Sequence, residues 1–207
     1  MMRVYVVDDD EQVRAALLRL LQSAGHEAQG FASAAQCLQA LQPDAAACLV
    51  LDLAMPGLDG LQLQHLLCQR APELPVVFLT GRGDIAASVK AMKHGATDFL
   101  TKPVDDAVLL DAVAEALAEA ERRRGLKQRS ADLARHLDAL TARERQVLEL
   151  VLAGRLNKQI AAELGTSEKT VKFHRGNLMH KMGVRSVAEL ARWVANAGPS
   201  PSGTKVQ

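Results

Sequence analysis

The chain lacks the features that mark secreted proteins and membrane proteins. It has three cysteines, Cys37, Cys48 and Cys68, whose odd number argues against a disulfide framework and whose spacing suits no metal site. No stretch approaches the roughly 18 consecutive apolar residues that span a membrane. The first apolar residues run straight into three aspartates, which a secretory signal does not do. We therefore expect a cytoplasmic protein that does not engage a membrane.

The net charge of +1 conceals two halves of opposite sign. Residues 1–124 carry 11 Lys and Arg against 17 Asp and Glu, a net charge of −6. Residues 125–207 carry 14 against 7, a net charge of +7. This division predicts one part that handles cations or phosphate chemistry and another that meets nucleic acid. A chance imbalance is the alternative, because a small domain easily carries several charges of one sign.

Apolar segments and amphipathic helical patterns alternate through the acidic half. Five short segments with strand character end at Val7, Phe31, Asp52, Leu79 and Leu100, and each is followed by a helical pattern. The third, from Cys48 to Asp52, shows no polar alternation, as expected of a strand that is buried on both faces. Five β/α units in strict alternation predict an α/β fold with a doubly wound, five-stranded parallel sheet.

Polar residues collect where the predicted strands end. They are Asp8, Asp9, Asp52, Thr80 and Lys102. Any one aspartate alone could simply cap a turn, but the carboxyl edge of a parallel sheet is where such folds bind ligands. Three carboxylates there repel one another, and Mg²⁺ (or Mn²⁺) with oxygen ligands relieves the repulsion.

A hydroxyl and a lysine beside that cation would neutralise and orient the oxygens of a phosphoryl group. The sequence therefore predicts that Asp52 attacks phosphorus to form an acyl phosphate. The chain has no glycine-rich loop that would cradle a nucleotide as the donor.

Residues 3–120 resemble the receiver domain of bacterial two-component response regulators. The resemblance rests on five separated motifs: Val7-Asp8-Asp9, Asp52 with Met55-Pro56-Gly57 after it, Thr80-Gly81, Phe99, and Lys102-Pro103. It implies that Asp52 accepts a phosphoryl group from a sensor histidine kinase. It also implies a metal site in an acidic pocket formed by Asp8, Asp9, Asp52 and the backbone carbonyl of Ala54.

The same resemblance implies roles for residues on the far side of the site. Thr80 and Lys102 would contact the phosphoryl group, and the Lys102-Pro103 peptide bond would be cis. Phe99 would turn inward when Thr80 moves. We further hypothesise that Ala54 and Arg82 tune the lifetime of the phosphoryl group, since Ala54 leaves room for a water molecule and Arg82 can contact the anion.

Residues 121–138 are polar and rich in alanine and arginine, and they separate the two halves. Four leucines give a weak helical seam at spacings of seven, four and three residues: Leu126, Leu133, Leu137 and Leu140. We predict a receiver domain at 1–120, a helical linker at 121–138, a DNA-binding domain at 139–197 and a disordered tail at 198–207.

Four helical patterns occupy the basic half. They begin at Thr141, Asn157, Ser167 and Ser186. Thr141 and Ser186 are each followed by a glutamate three residues later, which predicts a reciprocal capping box at both. Two helices joined by a short turn that contains glycine, in a basic context, are typical of a helix-turn-helix. A solvated basic helix is the alternative. The predicted DNA contacts are Lys158, Lys169, Thr170, Lys172, Phe173, Arg175 and Lys181, of which the first and the last two are better placed for phosphates.

Residues 138–197 resemble the LuxR-type helix-turn-helix through Leu140–Leu148, Asn157–Ala161 and Thr170–His174. Together with the receiver, this is similar to the NarL/FixJ subfamily of response regulators. The resemblance implies a transcription regulator that forms a homodimer on phosphorylation and binds an inverted repeat in double-stranded DNA, with RNA polymerase as a further candidate partner. Gly176 departs from it, because this position would otherwise offer a side chain to DNA.

We expect two dimer surfaces, one at the fourth helix and fifth strand, and one at Leu190 and Val194 in the last helix. Two other functional classes stay open. A Mg²⁺-dependent phosphatase that uses Asp52 covalently would need a substrate pocket or an inserted cap, for which the sequence offers no segment. A DNA-binding protein with a vestigial receiver would be expected to have lost its polar strand ends, yet all are present. We expect no enzymatic activity beyond the receiver's own phosphoryl transfer and dephosphorylation.

Overall fold

The computed structural model describes residues 2–41, 47–81 and 85–196, which fall into two compact units, 1–124 and 125–207. Arg82 and the predicted tail at 198–207 lie outside the described residues. The strands are β1 (Arg3–Val7), β2 (Glu27–Phe31), β3 (Ala47–Asp52), β4 (Val76–Thr80) and β5 (Asp98–Thr101). The helices are α1 (Glu11–Ser23), α2 (Ala34–Ala40), α3 (Gly60–Arg70), α4 (Ile85–Lys93), α5 (Asp106–Asp138), α6 (Ala142–Leu152), α7 (Asn157–Glu163), α8 (Glu168–Lys181) and α9 (Val187–Asn196).

The five strands form one parallel sheet in the order β2-β1-β3-β4-β5. All six residues of β3 are buried because an apolar cluster covers each face of the sheet. Leu49 and Leu51 face one cluster, whereas Cys48 and Val50 face the other. A five-stranded parallel sheet followed by a helical region confirms the predicted fold class.

The order of the strands determines where a site can form. The chain leaves β1 toward β2 on one side and leaves β3 toward β4 on the other, so the sheet reverses its winding direction between β1 and β3. The connections that follow these two strands therefore diverge and leave a crevice at the carboxyl edge. The end of β1 carries Asp8 and Asp9, and the end of β3 carries Asp52.

Several of the helices that surround the sheet begin with a residue whose side chain caps the first turn. Asp10 caps α1 by accepting hydrogen bonds from the amides of Gln12 and Val13. Asp59 and Gln62 form a reciprocal capping box at the start of α3. These caps satisfy amides that would otherwise lack partners in the first helical turn. In the part of the chain that the structure describes, no helix combines the length and the apolar character needed to cross a membrane.

The second unit has its own apolar core, to which α6, α7, α8 and α9 all contribute. Ile160, Val171 and Leu178 are fully buried there, and Leu133 and Leu140 from the predicted leucine seam join them. Leu126, the first leucine of that seam, is instead exposed. The buried part of the leucine seam therefore does not include Leu126. Helical spacing alone does not decide whether another element covers a side chain.

Two predictions for the last helix need correction. Leu190 was expected at a dimer surface, but its side chain is 0% exposed and belongs to the core of the second unit. Ser186 accepts a hydrogen bond from the amide of Glu189, as expected. The Glu189 carboxylate, however, accepts from the amide of Arg185 instead of closing a capping box on Ser186.

Gly60 provides a test of how tightly β3 and α3 pack. A Cβ at Gly60 would lie 2.5 Å from the backbone oxygen of Asp52 and 3.0 Å from Cα of Leu53. Because these are backbone atoms, Gly60→Ala requires the main chain to move, and we expect it to lower the free energy of unfolding by about 1–3 kcal/mol. A Cβ at Gly81 would meet nothing within 4 Å, so Gly81→Ala is the matched control. Equal denaturant midpoints for the two variants would contradict the expected clash.

Candidate functional site

Three carboxylates converge at the crevice between β1 and β3. Asp8 is 1% exposed and Asp52 is 8% exposed, while Asp9 faces solvent. One oxygen from each of the three side chains lies within 4.8 Å of the other two. The structure therefore brings together the three predicted acidic residues of the site.

The end of β5 supplies the positive charge of this cluster. The Lys102 ammonium lies 2.6 Å from Oδ2 of Asp8 and 3.3 Å from Oδ2 of Asp52. The Lys102 amide donates to the Thr80 carbonyl at 2.6 Å, which ties β5 to the end of β4. Burial acts to lower the pKa of Lys102, but the hydrogen bond and charge of Asp8, together with Asp52, outweigh it and raise that pKa. Lys102 is therefore a cation in the resting site.

The side chain of Asp52 is poorly solvated. Burial raises its pKa, and the nearby charge of Asp8 acts in the same direction. Lys102 and the backbone amide of Ala54 oppose the shift without reversing it. Oδ1 of Asp52 is buried and has no hydrogen-bond partner among the residues that the structure describes. This oxygen is available to a new electrophilic partner.

The donor set fits a hard divalent cation. All three side chains offer carboxylate oxygens, which Mg²⁺ and Mn²⁺ prefer. The buried, unpartnered oxygen of Asp52 is the kind of atom that a bound cation or phosphoryl group would satisfy. Receiver domains generally hold Mg²⁺ through acidic residues of this kind. The metal contact of the Ala54 carbonyl stays a prediction.

The other predicted residues of the receiver surround this cluster. Thr80 is buried at the end of β4. Phe99 in β5 pairs in register with Phe78 in β4, and their ring centroids are 6.0 Å apart. The Lys102-Pro103 peptide bond is cis, as the resemblance implied. Thr80 and Phe99 thus lie on neighbouring strands, while their roles in switching stay predictions.

A second candidate site lies on α8 of the helical unit. Val171, Leu178 and Met182 are buried, so the opposite face of the helix points to solvent. That face presents Lys169, Lys172 and Phe173, and the phenyl ring of Phe173 is 64% exposed. The exposed side chain of Lys158 adds a further positive charge from α7.

Two of the predicted DNA contacts, Thr170 and Arg175, already have protein partners. The Thr170 hydroxyl bonds to the Ser167 hydroxyl at 2.9 Å at the start of α8. Nη1 of Arg175 donates to Oδ1 of Asn157 at 2.8 Å, which links α8 to the first residue of α7. Sequence patterns do not predict this partner, because the two residues lie on different helices.

The structure does not support a phosphate contact for Lys181. Its ammonium lies 2.7 Å from Oε2 of Glu144, a carboxylate that is 3% exposed and also caps α6. This hydrogen bond, with that from the Thr141 amide, lowers the pKa of Glu144. Moving Lys181 to DNA would leave a buried charge unpaired, which costs several kcal/mol. We therefore leave Lys181 out of the proposed DNA contacts.

The raised pKa of Asp52 predicts a dependence of stability on pH. Because the folded-state pKa lies above the unfolded one, ionisation of Asp52 weakens the fold, and the loss appears as pH rises through these values. Without divalent cations, we expect Asp52→Asn to have a higher free energy of unfolding than the unsubstituted protein at neutral pH. The difference should vanish below about pH 3, where Asp52 is protonated in both states. Asp111→Asn, at an exposed site on α5, is the control. An Asp52→Asn protein that is less stable at neutral pH would refute this account.

Two family models together match most of the chain. The response regulator receiver domain matches residues 4–114, and the bacterial regulatory proteins of the luxR family match residues 138–194. Nodulation protein W of Bradyrhizobium diazoefficiens is 45% identical over 202 residues, which are 98% of this chain and 89% of that protein. Transcriptional regulatory protein FixJ of Azorhizobium caulinodans is 41% identical over 199 residues, covering 96% of this chain and 94% of that protein.

Similarity to a solved structure points to the same family. The structure of the response regulator StyR aligns with a TM-score of 0.85 at 45% identity and covers 94% of this chain and 98% of the StyR chain. The matched regions contain the acidic cluster and the exposed face of α8 that were described above. The chain therefore belongs to the response regulators, and it is a transcriptional regulator of the NarL/FixJ subfamily with a receiver domain and a LuxR-type DNA-binding domain.

Proposed function

We propose that transfer of a phosphoryl group to Asp52 controls DNA binding by this regulator. The observation that carries the proposal is the buried Oδ1 of Asp52, which has no hydrogen-bond partner among the described residues and lies on a carboxylate beside a lysine cation. A carboxylate that is poorly solvated but still paired is a competent nucleophile. The donor that fits a two-component system is a phosphohistidine on a sensor histidine kinase.

The transfer step forms one bond and breaks another. An oxygen of Asp52 attacks phosphorus, and the phosphorus–nitrogen bond of the phosphohistidine breaks as the new phosphorus–oxygen bond forms. The imidazole of the kinase leaves with the electron pair and takes up a proton. The product is an acyl phosphate on Asp52. Water attack on the same phosphorus later returns the carboxylate and inorganic phosphate.

Residues around Asp52 would stabilise the charge of the transferred group. Asp8, Asp9, Asp52 and the Ala54 carbonyl would hold Mg²⁺ (or Mn²⁺), which neutralises phosphoryl oxygens when bound. Lys102, now shared between two carboxylates, would donate to a phosphoryl oxygen, since the anion on Asp52 then becomes the stronger partner. The Thr80 hydroxyl would donate to another. Ala54, which is exposed, would leave room for the hydrolytic water.

A shift between two populated states would carry the signal away from Asp52. Movement of Thr80 toward the phosphoryl group would open space beside β5, and Phe99 would turn inward to fill it. Phe99 packs against Phe78 and is only partly buried, so the core does not enclose its ring on every side. The phosphoryl group would favour this second state through its differential contacts. Val89 and Met92 on α4 are exposed apolar side chains near β5 that suit a dimer surface.

Two copies of the helical unit would then bind an inverted repeat. In each copy α8 would enter a major groove, where Lys172 can donate to guanine and Phe173 can cover a thymine methyl group. Lys169 and Thr170 would contact the same groove, whereas Lys158 and Arg175 would contact phosphates, which supply affinity without sequence information. RNA polymerase is a further candidate partner of the DNA-bound dimer.

The phosphoryl switch can be tested on the full chain. With acetyl phosphate and Mg²⁺, we expect one phosphoryl group per chain by intact mass, a shift from monomer to dimer in sedimentation, and enrichment of an inverted repeat from random duplex DNA. Asp52→Asn should lose all three responses, because the nucleophilic oxygen is gone. Asp9→Asn should be phosphorylated far more slowly at the same Mg²⁺ concentration. Equal enrichment of the repeat without the donor would show that phosphorylation does not control DNA binding.

Substitutions at phosphate contacts and at base contacts should have different effects in DNA-binding experiments. Lys158→Ala should weaken binding about equally for all sequences, and the slope of log K against log salt should fall by about 1, because one phosphate contact is lost. Phe173→Ala should instead relax the preference for thymine at one position of the selected site. Lys93→Ala removes an exposed lysine of the receiver and is the matched control. An unchanged site preference in Phe173→Ala would exclude the proposed methyl contact.

A further inference from the structure

Arg14 on α1 contacts the backbone that carries two of the acidic residues. Its Nη1 donates to the carbonyl oxygen of Asp8 at 2.7 Å and lies 3.5 Å from the carbonyl oxygen of Asp9. The Asp8 amide donates to the carbonyl of Phe31 at the end of β2. The backbone of Asp8 is therefore held from two sides, by β2 and by α1.

Gly30 in β2 makes room for the stem of Arg14. A Cβ at Gly30 would lie 3.2 Å from both Cγ and Cδ of Arg14, and 2.8 Å from Cδ1 of Leu18. The arginine stem thus lies across a strand position that has no side chain. A larger residue at position 30 would therefore crowd the side chains of Leu18 and Arg14.

Asp8 and Asp9 depend on this contact to different degrees. The Asp8 carboxylate has further partners, since Oδ1 accepts from the Asp10 amide at 2.9 Å and Oδ2 accepts from Lys102. Within the described residues, the Asp9 side chain forms no hydrogen bond and no ion pair. Its position therefore follows from its backbone, whose carbonyl faces Arg14.

We infer that Arg14 is a positioning residue that holds the Asp8–Asp9 backbone so that Asp9 stays within reach of a shared divalent cation. This inference rests on the proposed cation site. Mutual repulsion pushes the three carboxylates apart when no cation is bound, and Arg14 opposes that movement through the main chain. When a residue that orients a metal ligand without touching the metal is removed, the metal affinity typically falls 10- to 100-fold.

The sign of the effect separates positioning from simple electrostatics. Arg14→Met keeps an apolar stem but removes a positive charge close to an anionic pocket. If charge alone mattered, the pocket would become more negative and Mg²⁺ would bind more tightly. If Arg14 positions the ligands, Mg²⁺ should bind about 10-fold more weakly. Gly30→Ala changes no charge and crowds the stem of Arg14 together with Leu18, so we expect a smaller loss of Mg²⁺ affinity in the same direction.

The experiment is a Mg²⁺ titration of the full chain. Mg²⁺ binding is measured by calorimetry and by the shift of the thermal unfolding midpoint with Mg²⁺ concentration. Arg14→Met, Arg14→Lys and Gly30→Ala are compared with Arg19→Met. Arg19 lies on the same helix, and its Nε bonds to the Ala15 carbonyl within that helix, so its loss matches the change of charge without touching the pocket. We expect a smaller loss of affinity in Arg14→Lys, because a lysine keeps the charge but a single ammonium replaces the planar guanidinium.

Each outcome decides the inference. Weaker Mg²⁺ binding in Arg14→Met and Gly30→Ala, with Arg19→Met unchanged, supports it. Unchanged or tighter binding in Arg14→Met overturns it while the proposed function stands. If Arg14→Met does not fold, unchanged Mg²⁺ binding in Arg14→Lys, which keeps the charge, overturns it instead. Absence of saturable Mg²⁺ binding in the unsubstituted protein overturns the proposed cation site and this inference with it.

Discussion

The ammonium of Lys102 lies between two buried carboxylates, and the receiver unit depends on this contact. Asp8 and Asp52 end neighbouring strands of a parallel sheet, so the fold forces their charges together in a place that water barely reaches. Removing the cation from a buried ion pair costs several kcal/mol, because the remaining carboxylate has no solvent to stabilise its charge. Lys102 compensates both carboxylates at once, and its cation is stabilised in return. The arrangement is therefore stable enough to fold, yet Asp52 still keeps a raised pKa and a buried oxygen that has no hydrogen-bond partner among the described residues.

The same arrangement explains how the site can respond to a ligand. One lysine neutralises only part of the negative charge of the three carboxylates, so a bound divalent cation would relieve the remaining repulsion. Contacts away from the cluster keep its geometry during this exchange. Asp10 caps α1 and donates its amide to Asp8, while the Lys102 amide binds the Thr80 carbonyl. These contacts connect the ends of β1, β4 and β5 around Asp52.

The helical unit divides its charges between folding and binding. Glu144 and Lys181 pair where α6 and α8 meet, and Arg175 bonds to Asn157 where α8 meets α7. His136 on α5 adds a contact between its ring and Trp193 on α9, with ring centroids 4.8 Å apart. Lys169, Lys172 and Phe173 are exposed on α8, and within the described residues their side chains form no hydrogen bond or ion pair. Their substitution therefore tests the proposed DNA contacts without removing a contact of the core.

The sequence by itself determined the order of the elements and the residues at the strand ends. Local chemistry decides these features: the apolar run that ends at Asp52 predicts a buried strand, and the caps at Asp59 and Thr141 follow from the residues three positions later. Only the tertiary structure decided which polar groups pair across elements. Lys181 binds Glu144, Leu190 is buried, and Arg14 reaches the end of β1. Each of these outcomes depends on the distance between side chains on separate elements, which helical or strand periodicity does not specify.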